Sequence, residues 1–191
     1  MGYSRAQKAA SRKRILSIAA KQIKERGLDS IAIAELMKSA GLTQGAFYGH
    51  FASREELLLE ATKEAKLIPE KLLRDIAAKK KNLSLADVIE LYLNDQHINN
   101  SGYGCVVCAL ASEGRSASKA IRTELSENYK NQVNFVERAL TGKHTHERAV
   151  GILSALMGAV SLARTLNDSK LVKTILKQTK NLILNSQKTK D

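Results

Sequence analysis

Proline is almost absent from this chain, and its scarcity limits the folds that the chain can adopt. Only Pro69 occurs in 191 residues, beside eleven glycines. Proline removes a backbone donor and breaks helices, so a chain that nearly lacks it can form long helices. A sandwich of many strands, by contrast, needs frequent turns rich in glycine and proline. Apolar residues make up 43% of the chain, enough for a buried core, which excludes a mainly disordered protein.

Apolar residues recur at helical spacing through almost the whole sequence, without the alternation typical of strands. The spacing predicts an all-α fold of about nine helices, over residues 4–26, 31–39, 43–49, 53 onwards, 84–98, 105–114, 117–140, 146–166 and 169–186. Gly27 predicts the C-terminal cap of the first helix. Ser53 and Glu56 predict a capping box at the start of the fourth helix, in which Pro69 predicts a kink or break.

Positive charge is concentrated at the two ends of the chain, whose formal net charge is +12. Residues 1–26 contain eight basic side chains and one acidic side chain, residues 27–100 contain nine and eleven, and residues 101–191 contain fourteen and seven. A basic N-terminal segment beside a nearly neutral middle predicts an oriented contact with a polyanion. Charge alone leaves DNA, RNA and an anionic membrane open as partners.

Insertion into a membrane is disfavoured by the pattern of charges. The longest uncharged stretch near the C-terminus, Ala149–Ala163, has 15 residues and is too short to span a bilayer. The N-terminal segment lacks an apolar core followed by a cleavage site, so no signal peptide is expected. Two cysteines are too few for a disulfide scaffold, which suits a reducing compartment. We therefore expect a cytoplasmic protein without a membrane partner.

Residues 31–51 combine a short helix, a turn that contains glycine and a second short helix. This order is typical of a helix-turn-helix, whose second helix enters the major groove of DNA with its N-terminal residues facing base edges. Gln44 can bond bidentately to adenine there, and Thr43 can bond to a base edge or contact a thymine methyl group. Tyr48 and His50 suit phosphate oxygens. The residues that can close a small core beneath the two helices are Ile33, Leu36, Met37, Ala40, Leu42 and Phe47.

The alternative interpretation of residues 31–51 is a pair of packing helices such as any helical protein contains. The aromatic residues favour the DNA-binding interpretation, because Phe47, Tyr48 and Phe51 are three of only eight aromatics in the chain. Phe47 and Phe51 are expected in the core. Tyr48 is then the surface aromatic that is available for a functional contact.

A run of motifs extends over several consecutive turns of this region: Glu25-Arg26-Gly27, Ile33, Glu35-Leu36, Ala40-Gly41-Leu42-Thr43, Gly45, Phe47-Tyr48, His50-Phe51 and Ser53-Arg54-Glu55-Glu56-Leu57. Over about residues 10–60 the chain resembles the DNA-binding domain of TetR/AcrR-type repressors. The resemblance implies an all-helical homodimer with an N-terminal three-helix DNA-binding domain, which we place at residues 1–52. A larger domain, at residues 53–191, would bind a small molecule and dimerise through its last two helices. Ligand binding in such repressors usually spreads the two reading heads and releases a palindromic operator. No enzyme chemistry is implied.

The same resemblance assigns the DNA contacts to Ser30, Thr43, Gln44, Tyr48 and His50. The sequence departs from the common family pattern at three positions. The family often has a basic residue where Gln44 stands, a polar residue where Ala34 stands and a hydroxyl residue where Ile31 stands. We therefore expect base specificity to depend on Thr43 and Gln44, and affinity to depend on phosphate contacts from the basic first helix and from Lys38.

A second pattern is Gly102-Tyr103-Gly104-Cys105-Val106-Val107-Cys108-Ala109-Leu110-Ala111-Ser112-Glu113, which resembles the stretch that opens the sixth helix in one branch of these repressors. Cys105 begins a predicted helix, whose dipole stabilises a thiolate, and Cys108 lies one turn further on. One alternative function is therefore a repressor that senses electrophiles or oxidants through Cys105. Another is a thiol oxidoreductase that uses both cysteines, although the βαβ context of thioredoxin-like motifs is missing. The structural interpretation is that both are buried, inert thiols among apolar neighbours.

The effector cavity that the resemblance implies falls among the middle helices, at roughly residues 60–165. Its candidate lining residues, each of which suits an ordinary core or surface position as well, are Tyr92, His97, Tyr103, Cys105, Tyr129 and Met157. His144 and His146 lack a third ligand at local spacing, so we expect a solvated loop rather than a metal site. No cofactor is predicted.

The last two helices, residues 146–186, are predicted to form the homodimer interface. One apolar stripe comprises Ile152, Leu153, Leu156, Val160 and Ala163, and the other comprises Leu171, Val172, Ile175, Leu176, Leu182 and Ile183. Such stripes would serve the core of a monomer equally well, whereas a twofold dimer suits a palindromic site. A DNA-compacting protein is a further competitor, and it would bind all sequences with equal affinity.

Overall fold

The computed structural model describes residues 4–65 and 83–186. Within these ranges the chain is all-α and contains no strand, which confirms the predicted fold class. The helices are α1 (Arg5–Arg26), α2 (Ile33–Ser39), α3 (Arg54–Ala65), α4 (Leu85–Tyr92), α5 (Asp95–Asn99), α6 (Val106–Ala109), α7 (Lys119–Glu137), α8 (Thr145–Thr165) and α9 (Ser169–Asn185). Short 3-10 segments lie at Leu28–Ser30, Gln44–Gly49 and Ser101–Tyr103. The predicted kink at Pro69 lies outside the described residues.

Local residues set both ends of α1. The Gln7 N–H donates to Ser4 Oγ at 3.2 Å, and the Ser4 N–H donates to the Gln7 side chain at 2.8 Å, which forms a reciprocal capping box. Gly27 ends the helix with φ +84°, and its N–H donates to the Ile23 carbonyl at 2.9 Å. Glycine is required here because side chains disfavour this backbone conformation.

One of the two bonds of the predicted capping box is present at the start of α3, while the Glu56 carboxylate accepts from the residue before Ser53 instead of from Ser53 itself. The Glu56 N–H donates to Ser53 Oγ at 3.1 Å, and Glu56 Oε2 accepts from the Ala52 N–H at 2.6 Å. The hydrogen bond from Ala52, followed by that from Arg12, lowers the pKa of the Glu56 carboxyl. A charged carboxylate is therefore kept at the electropositive end of the helix.

The contacts divide the described residues into two compact units: those within 1–68 and 105–126, and those within 69–104 and 127–191. In the first unit α1, α2, α3 and the segment Gln44–Gly49 surround one apolar core. Val106, Leu110 and Ile121 belong to the same core. The functional boundary after residue 52 stays a prediction, since this division reports packing alone.

Polar contacts also join residues 105–126 to the start of the chain. Glu113 Oε2 accepts a hydrogen bond from the Leu28 N–H at 2.8 Å, although 85 positions separate the two residues. The Ser118 hydroxyl donates to the Glu55 carboxylate. The turn that follows α1 is thus held by a side chain from a distant part of the sequence.

In the second unit Arg164 of α8 binds the C-terminal carbonyls of α5. Its Nε donates to the Ile98 carbonyl at 3.2 Å, and its Nη2 donates to the His97 carbonyl. Gly104 lies against this guanidinium, and a Cβ added there would be 2.5 Å from Nη2. The close approach explains why glycine occupies this position.

Three predicted helices differ from those observed. The helix predicted over 84–98 is divided into α4 and α5, because the Asn94 side chain accepts from the His97 N–H at 2.8 Å and caps a new helix. The helix predicted over 105–114 contains only the four residues of α6. Residues 44–49 form a 3-10 helix rather than an α-helix.

The apolar stripe of α8 lies in the core of the second unit. Ile152, Leu153, Leu156 and Val160 are buried within the single chain, so the core interpretation holds for this stripe and the interface interpretation was wrong for it. Helical periodicity places a stripe on one face without identifying what covers that face. The large apolar side chains that stay exposed on α8 and α9 are Val150, Leu162, Leu171 and Leu182.

Candidate nucleic-acid interface

A tight turn joins α2 to the 3-10 helix Gln44–Gly49, which we call the recognition segment. Gly41 adopts φ +71°, a conformation that favours glycine. Its N–H donates to the Lys38 carbonyl at 2.9 Å, and the Leu42 N–H donates to the Met37 carbonyl at 2.9 Å. These two bonds form a Schellman motif, which ends α2 and starts the recognition segment in a new direction.

Two buried phenylalanines hold the recognition segment in place. Phe47 and Phe51 are 0% and 1% exposed, as predicted, and their ring centroids lie 5.6 Å apart. Arg12 of α1 stacks over the Phe51 ring at 4.2 Å. The same guanidinium contacts Glu56 at 3.2 Å and Glu60 at 2.5 Å on α3. One arginine therefore links α1, α3 and Phe51, which lies two positions beyond the recognition segment.

The predicted DNA-contacting side chains are mostly exposed around this segment. Thr43 and Gln44 are exposed at its start, and Lys38 is exposed on α2. Tyr48 is 75% exposed, while one edge of its ring packs against Phe47 at a centroid distance of 5.2 Å. Exposed amide, hydroxyl and ammonium groups are those that bond to base edges and phosphates.

Ser30 differs from the other predicted contacts, because its side chain is used locally. The Ser30 hydroxyl donates to the Gly27 carbonyl at 2.7 Å, and its carbonyl accepts from the Gln22 side chain at 2.8 Å. These bonds brace the turn between α1 and α2. A contact between Ser30 and DNA, through the lone pairs of its hydroxyl oxygen or through its backbone, stays a prediction.

A groove of about 450 Å³ separates α1 from the recognition segment. It is lined by Lys8, Gly41, Leu42, Thr43, Ala46, Gly49 and His50. Two predicted contacts, Thr43 and His50, thus share one groove. Sequence reasoning missed Lys8, because the basic composition of the first helix does not indicate which of its cations faces the recognition segment.

His50 carries a buried polar atom in this region. Its Nδ1 is buried and has no hydrogen-bond partner. Burial, followed by the positive charges of Lys8 and Arg12, lowers the pKa of the imidazole. The ordinary pKa of histidine is about 6.5, so this ring is mainly neutral at neutral pH.

Both cysteines are buried, with Cys105 1% and Cys108 7% exposed. Cys105 also lies close enough to Lys24 to act electrostatically on it. Burial lowers the pKa of Lys24, while Cys105 and Glu25 act in the opposite direction. A thiol can sense an oxidant or electrophile only if that molecule can reach the sulfur atom. Burial of both cysteines therefore favours the interpretation that they are structural.

We predict that a thiol-specific reagent modifies both cysteines at least about tenfold more slowly in the folded protein than in denaturant. The Cys105→Ser and Cys108→Ser variants each keep one cysteine, so the modification rate of each thiol can be measured separately. The sensor alternative would be supported by two results together. Cys105 would be modified fast in the folded chain, and N-ethylmaleimide would release DNA from the wild-type protein but not from Cys105→Ser.

The effector candidates of the second unit are only partly brought together. The rings of Tyr92 and His97 meet edge-on at 5.0 Å, and His97 Nδ1 lies 2.7 Å from the Tyr92 carbonyl. The Tyr129 hydroxyl lies 2.8 Å from Ser154 Oγ. Tyr103 is 53% exposed. The remaining unit-two candidate, Met157, is half-buried on α8. Cys105, by contrast, belongs to the first unit.

The histidine pair near the start of α8 has carboxylate neighbours. His146 Nδ1 lies 3.1 Å from Glu137 Oε2, and this bond is the main cause of a lowered pKa of Glu137. His144 lies 4.0 Å from the Glu147 carboxylate. Among residues 4–65 and 83–186, no group of three potential metal ligands is assembled. In those same ranges no helix is long and apolar enough to cross a membrane.

Comparison with known proteins assigns both halves of the chain. The family model described as bacterial regulatory proteins, tetR family, matches residues 15–61. The model described as the C-terminal domain of LmrA/YxaF-like transcriptional regulators matches residues 66–178.

Similar proteins of known sequence or structure agree with these matches. An uncharacterised HTH-type transcriptional regulator of Haemophilus influenzae is 27% identical over 173 residues, which cover 89% of this chain and 82% of the relative. Another from Mycobacterium tuberculosis is 28% identical over 185 residues, which cover 91% and 94%. The crystal structure of a TetR regulator from Legionella pneumophila has a TM-score of 0.75 at 17% identity, covering 98% of this chain and 100% of that one. Reduced NemR from Escherichia coli has a TM-score of 0.73 at 17% identity, covering 90% and 96%.

The helix-turn-helix geometry and the exposed recognition segment define a DNA-binding transcriptional regulator. The chain belongs to the TetR family of bacterial regulatory proteins, and its function is that of a ligand-responsive DNA-binding repressor. The predicted family and function are thereby confirmed. The thiol oxidoreductase alternative gains no support from these relatives, which are transcriptional regulators.

Proposed function

We propose that two copies of this cytoplasmic protein bind a palindromic operator, and that a small-molecule effector bound within residues 53–191 releases it. The observation that carries the proposal is the recognition segment. Its polar residues Thr43 and Gln44 are exposed, while Phe47 beneath them is fully buried. A rigid segment with an exposed polar start is what base reading in the major groove requires.

Each predicted contact has a separate role in this proposal. Thr43 and Gln44 contact base edges, and Tyr48, His50, Lys38 and Ser30 contact the phosphate backbone. Helix α1 adds positive charge, with eight basic side chains and one acidic side chain in residues 1–26. Its contribution to affinity is independent of DNA sequence and falls as the salt concentration rises.

Replacement of Gln44 by Ala tests the base-reading role. The amide of Gln44 can bond bidentately to adenine, so Gln44→Ala is expected to cost about 1–3 kcal/mol of binding free energy at one base pair of each half-site. The measurement is the affinity for an operator obtained by in vitro selection and for a set of single base-pair variants of it.

Lys38→Ala is the matched control for this experiment. Because Lys38 is proposed to contact a phosphate, its loss should weaken binding to every sequence by a similar factor and reduce the salt dependence. If Gln44→Ala also weakened binding to every sequence by the same factor, Gln44 would have no role in base reading. Equal affinity of the wild-type protein for all sequences would favour the DNA-compacting alternative.

The proposed dimer surface uses the exposed apolar side chains of α8 and α9. Leu182 is 67% exposed on α9, and Leu171 and Leu162 are each nearly half exposed. Exposed apolar groups on two adjacent helices suit an isologous interface. The interface is restricted to the outer faces of α8 and α9, because the inner stripe of α8 is buried inside the chain. This stripe contains Ile152, Leu153, Leu156 and Val160.

Light scattering at micromolar concentration should give twice the chain mass of 20.9 kDa. Leu182→Asp is expected to weaken the dimer by at least about tenfold, because a buried unpaired charge costs several kcal/mol. Asn181→Asp adds the same charge at the neighbouring exposed position and should leave the dimer intact. A wild-type monomer would contradict the proposal.

The proposed effector contacts are the predicted candidates of the second unit, Tyr92, His97, Tyr103, Tyr129 and Met157. An effector contact by Cys105, which belongs to the first unit, stays a prediction from sequence. Around Tyr92 the second unit contains a buried polar chain. The Tyr92 hydroxyl donates to Gln132, whose side-chain amide donates to Asn128. Buried amides and hydroxyls can orient a small ligand that carries hydrogen-bonding groups, which supports an effector site in this part of the chain.

A further inference from the structure

A histidine that lines the groove beside the recognition segment has one buried polar atom to which no described protein group is hydrogen-bonded. Nδ1 of His50 is buried and has no partner, and His50 lines the groove together with Lys8 and Thr43. Buried polar groups are normally paired, since an unpaired one forfeits the hydrogen bond that it would make with water. The groove of about 450 Å³ has room for an anion beside the imidazole and Lys8.

The charges around His50 are predominantly positive. Lys8 and Arg12 of α1 both act on the imidazole. The carboxylates of α3 that approach this corner, Glu56 and Glu60, are both engaged by Arg12. No carboxylate among the described residues pairs with Lys8. The other titratable side chains on α2 and on the recognition segment are Glu35, Lys38 and Tyr48; all three are exposed, and none lines the groove.

An anion in this groove would reverse the electrostatics of the imidazole. Burial and two cations disfavour the protonated ring in the free protein. A phosphate beside Lys8 neutralises that positive field and offers an oxygen that accepts from a protonated ring nitrogen. Opposite charges at hydrogen-bond distance raise the pKa of a histidine.

We propose that DNA binding is coupled to the uptake of one proton by His50, which then donates to a backbone phosphate seated in the groove with Lys8. This inference rests on the proposed function, because it places the DNA backbone against the recognition segment. The proton comes from solvent, and no covalent bond changes. The sign follows from linkage: a complex that binds one more proton than the free protein gains affinity as pH falls.

The test measures the affinity of the full chain between pH 5.5 and 8 at constant ionic strength. The probes are a duplex obtained by in vitro selection and a random-sequence duplex of equal length, because a phosphate contact does not read sequence. The dissociation constant should rise with pH on both probes, by up to about tenfold per pH unit near pH 6.5. His50→Gln removes the titrating group and should abolish this slope, whereas His146→Gln, in the second unit, should retain it.

A wild-type affinity that is independent of pH overturns the proposal, as does a slope that persists in His50→Gln. Should His50→Gln fail to fold, the wild-type protein provides a second measurement. The His50 ring proton, followed by NMR, should titrate at a higher pH with the random duplex bound than without it. An unchanged or lower midpoint overturns the proposal. Failure of the proposed operator recognition would give a different result. The selected and random duplexes would then bind equally tightly, while the pH dependence of the dissociation constant could still be measured.

Discussion

Gly27→Ala is expected to destabilise the first unit by about 3 kcal/mol or more. Gly27 has φ +84° and ψ 175°, a region that is essentially restricted to glycine and costs other residues of order 1–3 kcal/mol. A Cβ at this position would also lie 2.0 Å from Glu113 Oε1. The carboxylate would have to move, which would break its hydrogen bond to the Leu28 N–H. A hydrogen bond to a charged group contributes about 1.5–3 kcal/mol.

The measurement is urea denaturation of the full chain, followed by far-UV circular dichroism. Gly41→Ala is the matched control, because Gly41 has φ +71° but no atom within 4 Å of the added Cβ. This variant should lose only the backbone term of about 1–2 kcal/mol. Gly45→Ala, at an open position without a positive φ, should have little effect.

Destabilisation of only about 1–2 kcal/mol by Gly27→Ala, no more than that expected for Gly41→Ala, would contradict a contribution from the Glu113 contact. The double variant Gly27→Ala with Glu113→Ala separates the two terms further. If the clash is responsible, removing the carboxylate should recover part of the stability that Gly27→Ala loses, since contacting residues are not additive.

Phe47→Ala is expected to cost about 3–5 kcal/mol of unfolding free energy, because it leaves a cavity in a core that cannot fully collapse. Phe47 is 0% exposed and contacts both Tyr48 and Phe51 through its ring. Its loss removes the anchor of the recognition segment. Operator binding should therefore fall even at temperatures where the rest of the chain stays folded.

Tyr48→Ala provides the comparison at the adjacent position. Tyr48 is 75% exposed, so its replacement should change stability by less than about 1 kcal/mol. If Tyr48 contacts phosphate as proposed, binding to selected and random duplexes should weaken by similar factors. Thermal denaturation and fluorescence anisotropy distinguish the two variants. A Phe47→Ala protein as stable as wild type would show that the segment is held by other contacts.

Features of the DNA-binding unit that depend on nearby residues were predictable from sequence. These features are Gly27 as a helix cap, the bond from the Glu56 N–H to the Ser53 side chain, and the inward phenylalanines with outward Tyr48. Each follows from interactions across a few positions. Capping and periodicity act within one or two turns. A single sequence therefore contains the information needed to locate them.

Other features depended on residues that are distant in the sequence. Glu113 bonds to the Leu28 N–H across 85 positions, and Arg12 reaches Phe51, Glu56 and Glu60. No local pattern indicates such pairs. The division of the predicted helix 84–98 depended on Asn94, a capping residue hidden within an apolar run that suited one continuous helix.

The sequence by itself determined the helical class, the helix-turn-helix and the family, because each of them produces a local sequence pattern. These patterns are the apolar periodicity, the capping residues and a dense motif. Only the tertiary structure decided which surfaces those helices cover. It buried both cysteines and the α8 stripe, and it placed Lys8 beside His50. Burial and pKa depend on all the groups that folding brings around an atom, whichever part of the chain they come from. For that reason the scarcity of proline could predict helices, but could not predict the electrostatic environment of a single histidine between them.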